Sequence, residues 1–278
     1  MSSDGESGGG GVRSLHSVVD DVTIDEGTRL LDAAALTSLD EENTTRSMTS
    51  KIAFMVGVGV SVTYCILAFL SNFKAAEHQP FLLPFINFSH FFGTSEIFAI
   101  AAGYVFARSL KPNGAPFSGL DFLVVLSAGG CLMLHNFSII AIFGLKQNIT
   151  YAIDSGITTM TFDEQFGAPV GTLLSLQAID LVEVILQVSF ILFAERVTVS
   201  ATAGPNSFAV SAFKAVLLYL AICNSSLWLI DSFMIKLPIA LERQYFTKWN
   251  QIKSIIVTLT VFFRFSSFLI FIRAFLNI

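Results

Sequence analysis

Long apolar segments alternate with short polar ones over most of the chain, and their lengths are those of helices that cross a membrane. About 20 predominantly apolar residues span the hydrocarbon core of a bilayer as an α-helix, and a segment of this kind occurs six times. We therefore predict an all-α, polytopic membrane fold, a bundle of six transmembrane helices over residues 51–278. The predicted spans are 52–73, 88–108, 120–145, 169–194, 208–233 and 252–275.

The first 50 residues do not follow this pattern and are predicted to be a separate, disordered segment. They are rich in glycine and serine, and their ten acidic residues against three arginines give a net charge of −7. A segment with few apolar residues and a high net charge does not bury enough surface to offset the entropy lost on folding. Because the whole chain has a net charge of −5, the membrane part carries only +2, and we expect no nucleic-acid partner.

Composition agrees with a chain whose main partner is the lipid bilayer. Hydrophobic residues make up 53% and charged residues 13%, with a mean hydropathy of +0.69, whereas soluble domains have about 25% charged residues. The sequence motifs GxxxxGK[ST], GxGxxG, HExxH and CxxC are missing, so we expect no cofactor and no metal site. We also expect no enzymatic activity; an intramembrane hydrolase built from dispersed residues is the alternative.

An even number of spans places both ends of the chain on one side of the membrane. Nine basic residues lie on that side and six on the other, which favours cytosolic termini, and we expect a multi-pass protein of the plasma membrane. Asn148-Ile149-Thr150 then lies outside, in the predicted loop after the third span, and makes Asn148 a glycosylation candidate. In the cytosolic tail, Glu26–Leu31 has the form of an acidic dileucine signal and is a candidate binding site for adaptors.

The fourth span carries three polar residues on one helical face. Asp180, Glu183 and Gln187 are spaced by three and four residues, and this spacing stacks side chains along one side of an α-helix. Acidic residues inside a span are costly and usually face a protein interior or a water-filled path. Two interpretations fit the pattern: a hydrogen-bonded seam that orients the helices, or the wall of an ion or proton pathway.

The fifth span repeats this pattern with Asn224, Trp228 and Asp231, at intervals of four and three residues. An amide side chain donates and accepts hydrogen bonds at once. We therefore expect Gln187 and Asn224 to bridge a narrow gap between adjacent helices. Such a constriction would still permit proton relay.

Arg264 lies near the middle of the sixth span. A central arginine costs about 2.5 to 3.5 kcal/mol on insertion scales, so we expect it to have an acidic partner inside the bundle. Asp180, Glu183 and Asp231 are the candidates, and Glu183 matches Arg264 best in depth. A structural salt bridge and a role in conduction both fit this pairing.

Three further titratable residues, His90, Glu96 and His135, lie inside the second and third spans. Histidine changes its charge near neutral pH and can pass on a proton, so these residues are candidates for a proton relay. Hydrogen bonding between helices is the alternative role of a lone histidine in a membrane.

The segments around these residues resemble a known family. LVEVILQVSFIL, NSSLWLIDSF and VFFRFSSFLIF, in that order and each on its own predicted helix, are similar to the closing segments of the otopetrin family of proton channels, over about residues 170–278. The resemblance implies proton-selective conduction activated by extracellular acid, cytosolic termini and dimeric assembly. Otopetrins usually have twelve spans in two related halves, and this chain resembles the carboxyl-terminal half preceded by its own tail.

The resemblance also implies roles for individual residues. A constriction in this half of otopetrins is formed by Gln, Asn and Tyr, and Gln187 and Asn224 take the first two positions. Phe263 stands where the family has the tyrosine, and Ser266 stands where it has a histidine. A phenyl ring makes none of the hydrogen bonds of a phenol, and a serine hydroxyl does not titrate near neutral pH.

We therefore expect a proton channel with a constriction at Gln187, Asn224 and Phe263, acting as a homo-oligomer or in assembly with otopetrin relatives. In a homo-oligomer, symmetry would supply the second half of the usual arrangement. A non-conducting truncated or regulatory subunit is the main alternative, favoured by Phe263 and Ser266. A proton-coupled carrier of a small solute is a third class.

Overall fold

The computed structural model describes residues 48–71, 82–108, 110–112, 116–159, 161–163, 168–198, 208–233 and 249–278. The predicted adaptor-binding segment Glu26–Leu31 and nearly all of the predicted tail, residues 1–50, lie outside these ranges.

Six helices make up almost all of the described part of the chain, which confirms the predicted all-α membrane fold. A two-residue antiparallel pairing, which was not predicted, joins two short segments between helices: Lys111 lies opposite Thr198. The elements are α1 Met48–Ser71, α2 Leu82–Ala107, β1 Lys111–Pro112, α3 Gly119–Asp154, α4 Val170–Ala194, β2 Val197–Thr198, α5 Phe208–Phe233 and α6 Trp249–Asn277.

Five of the six helices described are long and apolar enough to cross a membrane, so the chain is a multi-pass membrane protein. The exception is α2, which has 26 residues and is long enough but carries His90 and Glu96 within its length. It begins at Leu82, before the predicted start of the second span at 88. Pro84 lies in its first turn, where a proline costs no helical hydrogen bond.

The third helix is longer than its apolar segment. It continues to Asp154, whereas the predicted span ends at 145. Polar residues end the apolar run without ending the helix, and the hydroxyl of Thr150 donates to the carbonyl of Lys146 at 2.9 Å. The prediction that Asn148 lies in a loop is therefore wrong; it lies in the last turns of α3, with an exposed side chain.

Five of the helices form a closed ring in the order α2, α4, α3, α6, α5 and back to α2. The first helix, α1, packs outside this ring against α2 and α5. Its Tyr64 stacks on Phe92 of α2 with ring centroids 4.5 Å apart, and its Ser61 accepts a hydrogen bond from Ser226 of α5 at 3.2 Å. The ring encloses an interior to which helices distant in sequence contribute.

Small residues allow the ring helices to approach closely. A Cβ atom added to Gly130 of α3 would lie 2.4 Å from the Cβ of Leu259 of α6. That atom is fixed to the α6 backbone and does not turn aside as the end of a long side chain would. The contact between α3 and α6 therefore requires a glycine at position 130.

We predict that Gly130→Ala lowers the thermal stability of the purified protein. Inserting a methyl group into a packed interface costs about 1 to 3 kcal/mol. Gly129→Ala is the matched control, because a Cβ there meets no atom of the described residues within 4 Å and alanine is the better helix former. Melting followed by size-exclusion chromatography should place only Gly130→Ala below the wild type. Equal melting of the two variants would contradict this packing of α3 on α6.

Candidate functional site

The polar face of α4 points into the ring. Asp180 and Glu183, with Gln187 one turn further on, lie along it, and Gln177 extends it toward the start of the helix. The side chain of Asp180 is 26% exposed, whereas Glu183 is 2% and Gln187 0% exposed. Asp180 is therefore the partly exposed member of a face whose other three polar residues are buried.

Arg264 and Glu183 form a bidentate ion pair across the ring. Nη1 of Arg264 donates to Oε1 of Glu183 at 3.0 Å, and Nη2 donates to Oε2 at 2.9 Å. Both side chains are almost fully buried, and a paired guanidinium and carboxylate in this geometry make strong, charge-assisted hydrogen bonds. This is the partner expected from depth, and it joins α6 to α4, two helices separated in the ring by α3.

The amide of Gln187 links this ion pair to α5. Its Oε1 accepts from Nη1 of Arg264 at 2.8 Å, and its Nε2 donates to Oδ1 of Asn224 at 2.6 Å. Because a guanidinium only donates, this arrangement fixes which end of the Gln187 amide faces it. The two amides expected to bridge adjacent helices are therefore in direct contact.

Asn224 extends the network to α2. Its Nδ2 donates to the carbonyl of Leu220 at 2.9 Å and lies 3.5 Å from Oε1 of Glu96. Glu96 is 1% exposed. With His135 of α3, described next, every helix of the ring places a polar side chain in the interior.

His135 and His90 contact α4 closer to its beginning than the ion pair does. Nδ1 of His135 lies 2.9 Å from Oε1 of Gln177 and 3.6 Å from Oδ2 of Asp180. His90 places Nδ1 at 2.8 Å from the carbonyl of Ile86, so this nitrogen is the donor, and Nε2 at 2.7 Å from the hydroxyl of Ser175. His135 is thus part of the polar face that contains Asp180, and His90 borders it.

The remaining predicted site residues lie at or beyond the edge of this network, where the guanidinium of Arg264 is 5.5 Å from the centroid of the Phe263 ring. Asp231 is buried seven residues beyond Asn224 on α5, or about 10 Å along the helix. Phe263 is fully buried in the main apolar core, and the hydroxyl of Ser266 donates to its carbonyl at 3.0 Å. Neither the phenyl ring of Phe263 nor the hydroxyl of Ser266 adds a titratable group to the interior.

An aromatic layer closes the ring one turn beyond Gln187. Phe190 of α4 packs on Tyr104, Phe213 and Phe271, at centroid distances of 5.1, 5.9 and 6.0 Å. These rings come from α2, α5 and α6, and the three phenylalanines are fully buried. The polar interior therefore ends against an apolar barrier on the side where α4 ends.

A model of the family described as otopetrin matches residues 21–265 of the chain. The chain belongs to the otopetrin family. No curated protein in the comparison matches it. Otopetrins are membrane channels rather than enzymes and are known for proton conduction, and the family identified by resemblance in the last three spans is confirmed.

The otopetrin match is wider than the resemblance recognised from the motifs alone. It begins at residue 21 and includes the first five helices, whereas the motifs cover about residues 170–278. The matched range includes every residue of the interior network, with Arg264 next to its end.

Two polar features, one inside the site and one beyond the aromatic layer, were missed from the sequence. Gln177 lies three residues before Asp180, so the spacing that marks the polar face could have included it. Asp121 and Arg196 form an ion pair at 2.7 Å between the start of α3 and the end of α4. Residues at the ends of spans are ordinarily wet, and no local spacing indicates that these two meet.

We predict that Arg264→Met strongly reduces the yield and thermal stability of folded protein. Removing one partner of a buried ion pair leaves an uncompensated charge and costs about 3 to 5 kcal/mol. Arg273→Met is the matched control on the same helix, because Arg273 is 68% exposed and lies 3.9 Å from Glu195. Thermal melting of the detergent-purified variants measures the difference.

The double variant Arg264→Met, Glu183→Leu should recover part of the lost stability, since it removes both charges together. A single Arg264→Met variant as stable as the control would show that the ion pair does not hold the ring.

Proposed function

We propose that this otopetrin conducts protons across the plasma membrane and is activated by extracellular acid. The observation that carries the proposal is the interior network, in which Glu96, Asp180 and Glu183 share the ring with the single guanidinium of Arg264. Carboxyl groups in excess of cations, in a place that excludes most water, are groups that hold and pass on protons. Membership of a family of proton channels supports the same function.

Asp180 and His135 are the proposed entry. With both termini in the cytosol, the start of α4 lies on the extracellular side, and the partly exposed carboxyl of Asp180 is the first interior acid that external protons meet. His135 lies 3.6 Å from it. An imidazole and a carboxyl so close together can pass a proton from one to the other.

Gln187 and Asn224 are the proposed selectivity constriction. A separation of 2.6 Å between Nε2 and Oδ1 leaves no opening for a hydrated metal ion. Protons differ from other cations because they move along hydrogen bonds, and each amide offers both a donor and an acceptor. Phe263 adds no hydroxyl here, so the relay depends on these two amides.

The aromatic layer around Phe190 is the proposed closed gate. The three buried phenylalanine rings of this layer carry no group that transfers a proton, so conduction between them requires water to enter. We infer that the described conformation is closed and that protonation of the network above the layer favours opening.

A regulatory, non-conducting subunit is the second candidate. Phe263 favours it, because the ring is fully buried in the apolar core at the position where otopetrins have a hydrogen-bonding tyrosine. Assembly with twelve-span otopetrins would then be the role of the chain.

We predict an inward current and a fall in intracellular pH when cells that express this chain alone are exposed to external acid. Whole-cell recording with a fluorescent pH indicator measures both, and surface biotinylation shows whether the protein reaches the plasma membrane. Surface protein without any acid-evoked current would contradict the channel. Coexpression with a twelve-span otopetrin would then test the regulatory subunit through a change in the partner's current.

We predict that Gln187→Leu and Asn224→Leu each reduce the acid-evoked current at least several-fold, because each removes one amide from the constriction. Asn136→Leu is the matched control: its exposed amide on α3 bonds to the carbonyl of Leu132 and does not face the ring interior. Current is normalised to surface protein in all three variants. Normal current from both constriction variants would show that these amides are not part of the conduction pathway.

A further inference from the structure

A second polar cluster lies on the other side of the aromatic layer, at the end of the ring where α3 begins and α4 and α6 end. It borders a cavity of about 190 Å³ lined by Asp121, Glu195, Arg196 and Arg273, among others. The proposed pathway through the ring interior does not use these residues. Protons that cross the layer around Phe190 would reach this polar cluster before they reach the solution.

Asp121 is held as a carboxylate in this cluster. Its Oδ2 accepts from the backbone N–H of Ser118 at 2.6 Å and from Nη2 of Arg196 at 2.7 Å. It also lies in the first turn of α3, where the helix dipole favours a negative charge. Asp121 is 2% exposed, and its other oxygen, Oδ1, is buried and meets no hydrogen-bond donor among the described residues.

Glu195 is the group that can supply this donor. It follows the last residue of α4, its side chain is 16% exposed, and it lies within hydrogen-bonding reach of the Asp121 side chain. Two carboxylates only accept hydrogen bonds, whereas a carboxylic acid also donates one. The buried oxygen of Asp121 is therefore satisfied when Glu195 carries a proton.

The surroundings of Glu195 favour that protonated form. Burial raises the pKa of Glu195, the neighbouring carboxyl of Asp121 raises it further, and the guanidinium groups of Arg273 and Arg196 act in the opposite direction. Arg273 is too exposed and, at 3.9 Å, too distant to cancel the effect. Since the folded-state pKa lies above that of a free glutamate, the protonated pair persists at pH values where exposed glutamates are ionised.

We propose that Asp121 and Glu195 share one proton and form an inner proton-binding site between the aromatic layer and the solution at this end of the ring. The proposal rests on the proposed function, whose topology places this end in the cytosol. A proton arriving through the opened layer binds the carboxylate of Glu195. On release, the O–H bond of Glu195 breaks, the proton passes to water, and the arginines stabilise the two carboxylates left behind.

Infrared spectroscopy of the purified full chain in lipid nanodiscs tests the shared proton directly. As the pH is lowered, the wild type should gain a C=O absorption of a protonated carboxyl, shifted in D₂O, at a higher pH than exposed glutamates do, and Glu195→Gln should lose this component. The glutamine amide can still donate to Asp121, so this variant keeps the contact and removes only the titration. Asp154→Asn, which removes an exposed carboxyl at the far end of α3, should leave the absorption unchanged. An identical protonated-carboxyl absorption in the wild type and Glu195→Gln would overturn the proposal.

Recording from inside-out patches tests the role in conduction. Glu195→Gln should lower the acid-evoked current several-fold and flatten its dependence on cytosolic pH, whereas Glu195→Asp, which keeps a titratable carboxyl, should restore part of that dependence. A wild type without current would refute the proposed function, and the infrared absorption would still decide whether the pair holds a proton. Normal currents and normal cytosolic pH dependence in Glu195→Gln would refute the inner site while leaving the channel intact.

Discussion

A bidentate ion pair holds together two helices that are not neighbours in the ring. Arg264 of α6 and Glu183 of α4 meet in the interior, at 2.9 and 3.0 Å, although α3 lies between their helices in the order around the ring. Burying either charge alone, away from water, would cost several kcal/mol of free energy. The bidentate geometry of the pair offsets this cost. The Gln187 amide binds this pair and the Asn224 amide binds Gln187, so the positions of both amides depend on it.

The fourth helix, α4, makes hydrogen bonds to three other helices in the ring interior. Its Gln177 binds His135 of α3, its Glu183 binds Arg264 of α6, and its Gln187 binds both Arg264 and Asn224 of α5. A rotation of α4 by one residue would turn this face by about 100° and break these contacts together. The ion pair that fixes its rotation therefore also fixes the constriction proposed for proton selectivity.

The sequence alone predicted the features that depend on neighbouring residues along the chain. Twenty apolar residues define a membrane helix whatever its neighbours are, and the three-and-four spacing of Asp180, Glu183 and Gln187 defines a face. Depth in the bilayer made Glu183 the best partner for Arg264, because both lie mid-span.

The order of helices around the ring and the contacts at their ends depend on packing between distant segments. Asp121 and Glu195 are far apart in sequence, and each taken alone is an ordinary acid at a helix boundary. The end of α3 was misplaced for a related reason: loss of apolar character marks the edge of the membrane, while the helix itself ends only at Asp154.

Because the ring has five helices, an odd number, two neighbouring helices must run in the same direction. Contacts give the direction of two of them: His90 of α2 meets Ser175 near the start of α4, and Tyr104 of α2 meets Phe190 near its end. Alternation is impossible around an odd ring, and the neighbours α2 and α4 must run parallel. Their helix dipoles add instead of cancelling. Glu96, Asp180 and Glu183 all belong to these two helices, and a proton passing along them from amino-terminal to carboxyl-terminal ends moves down the combined field.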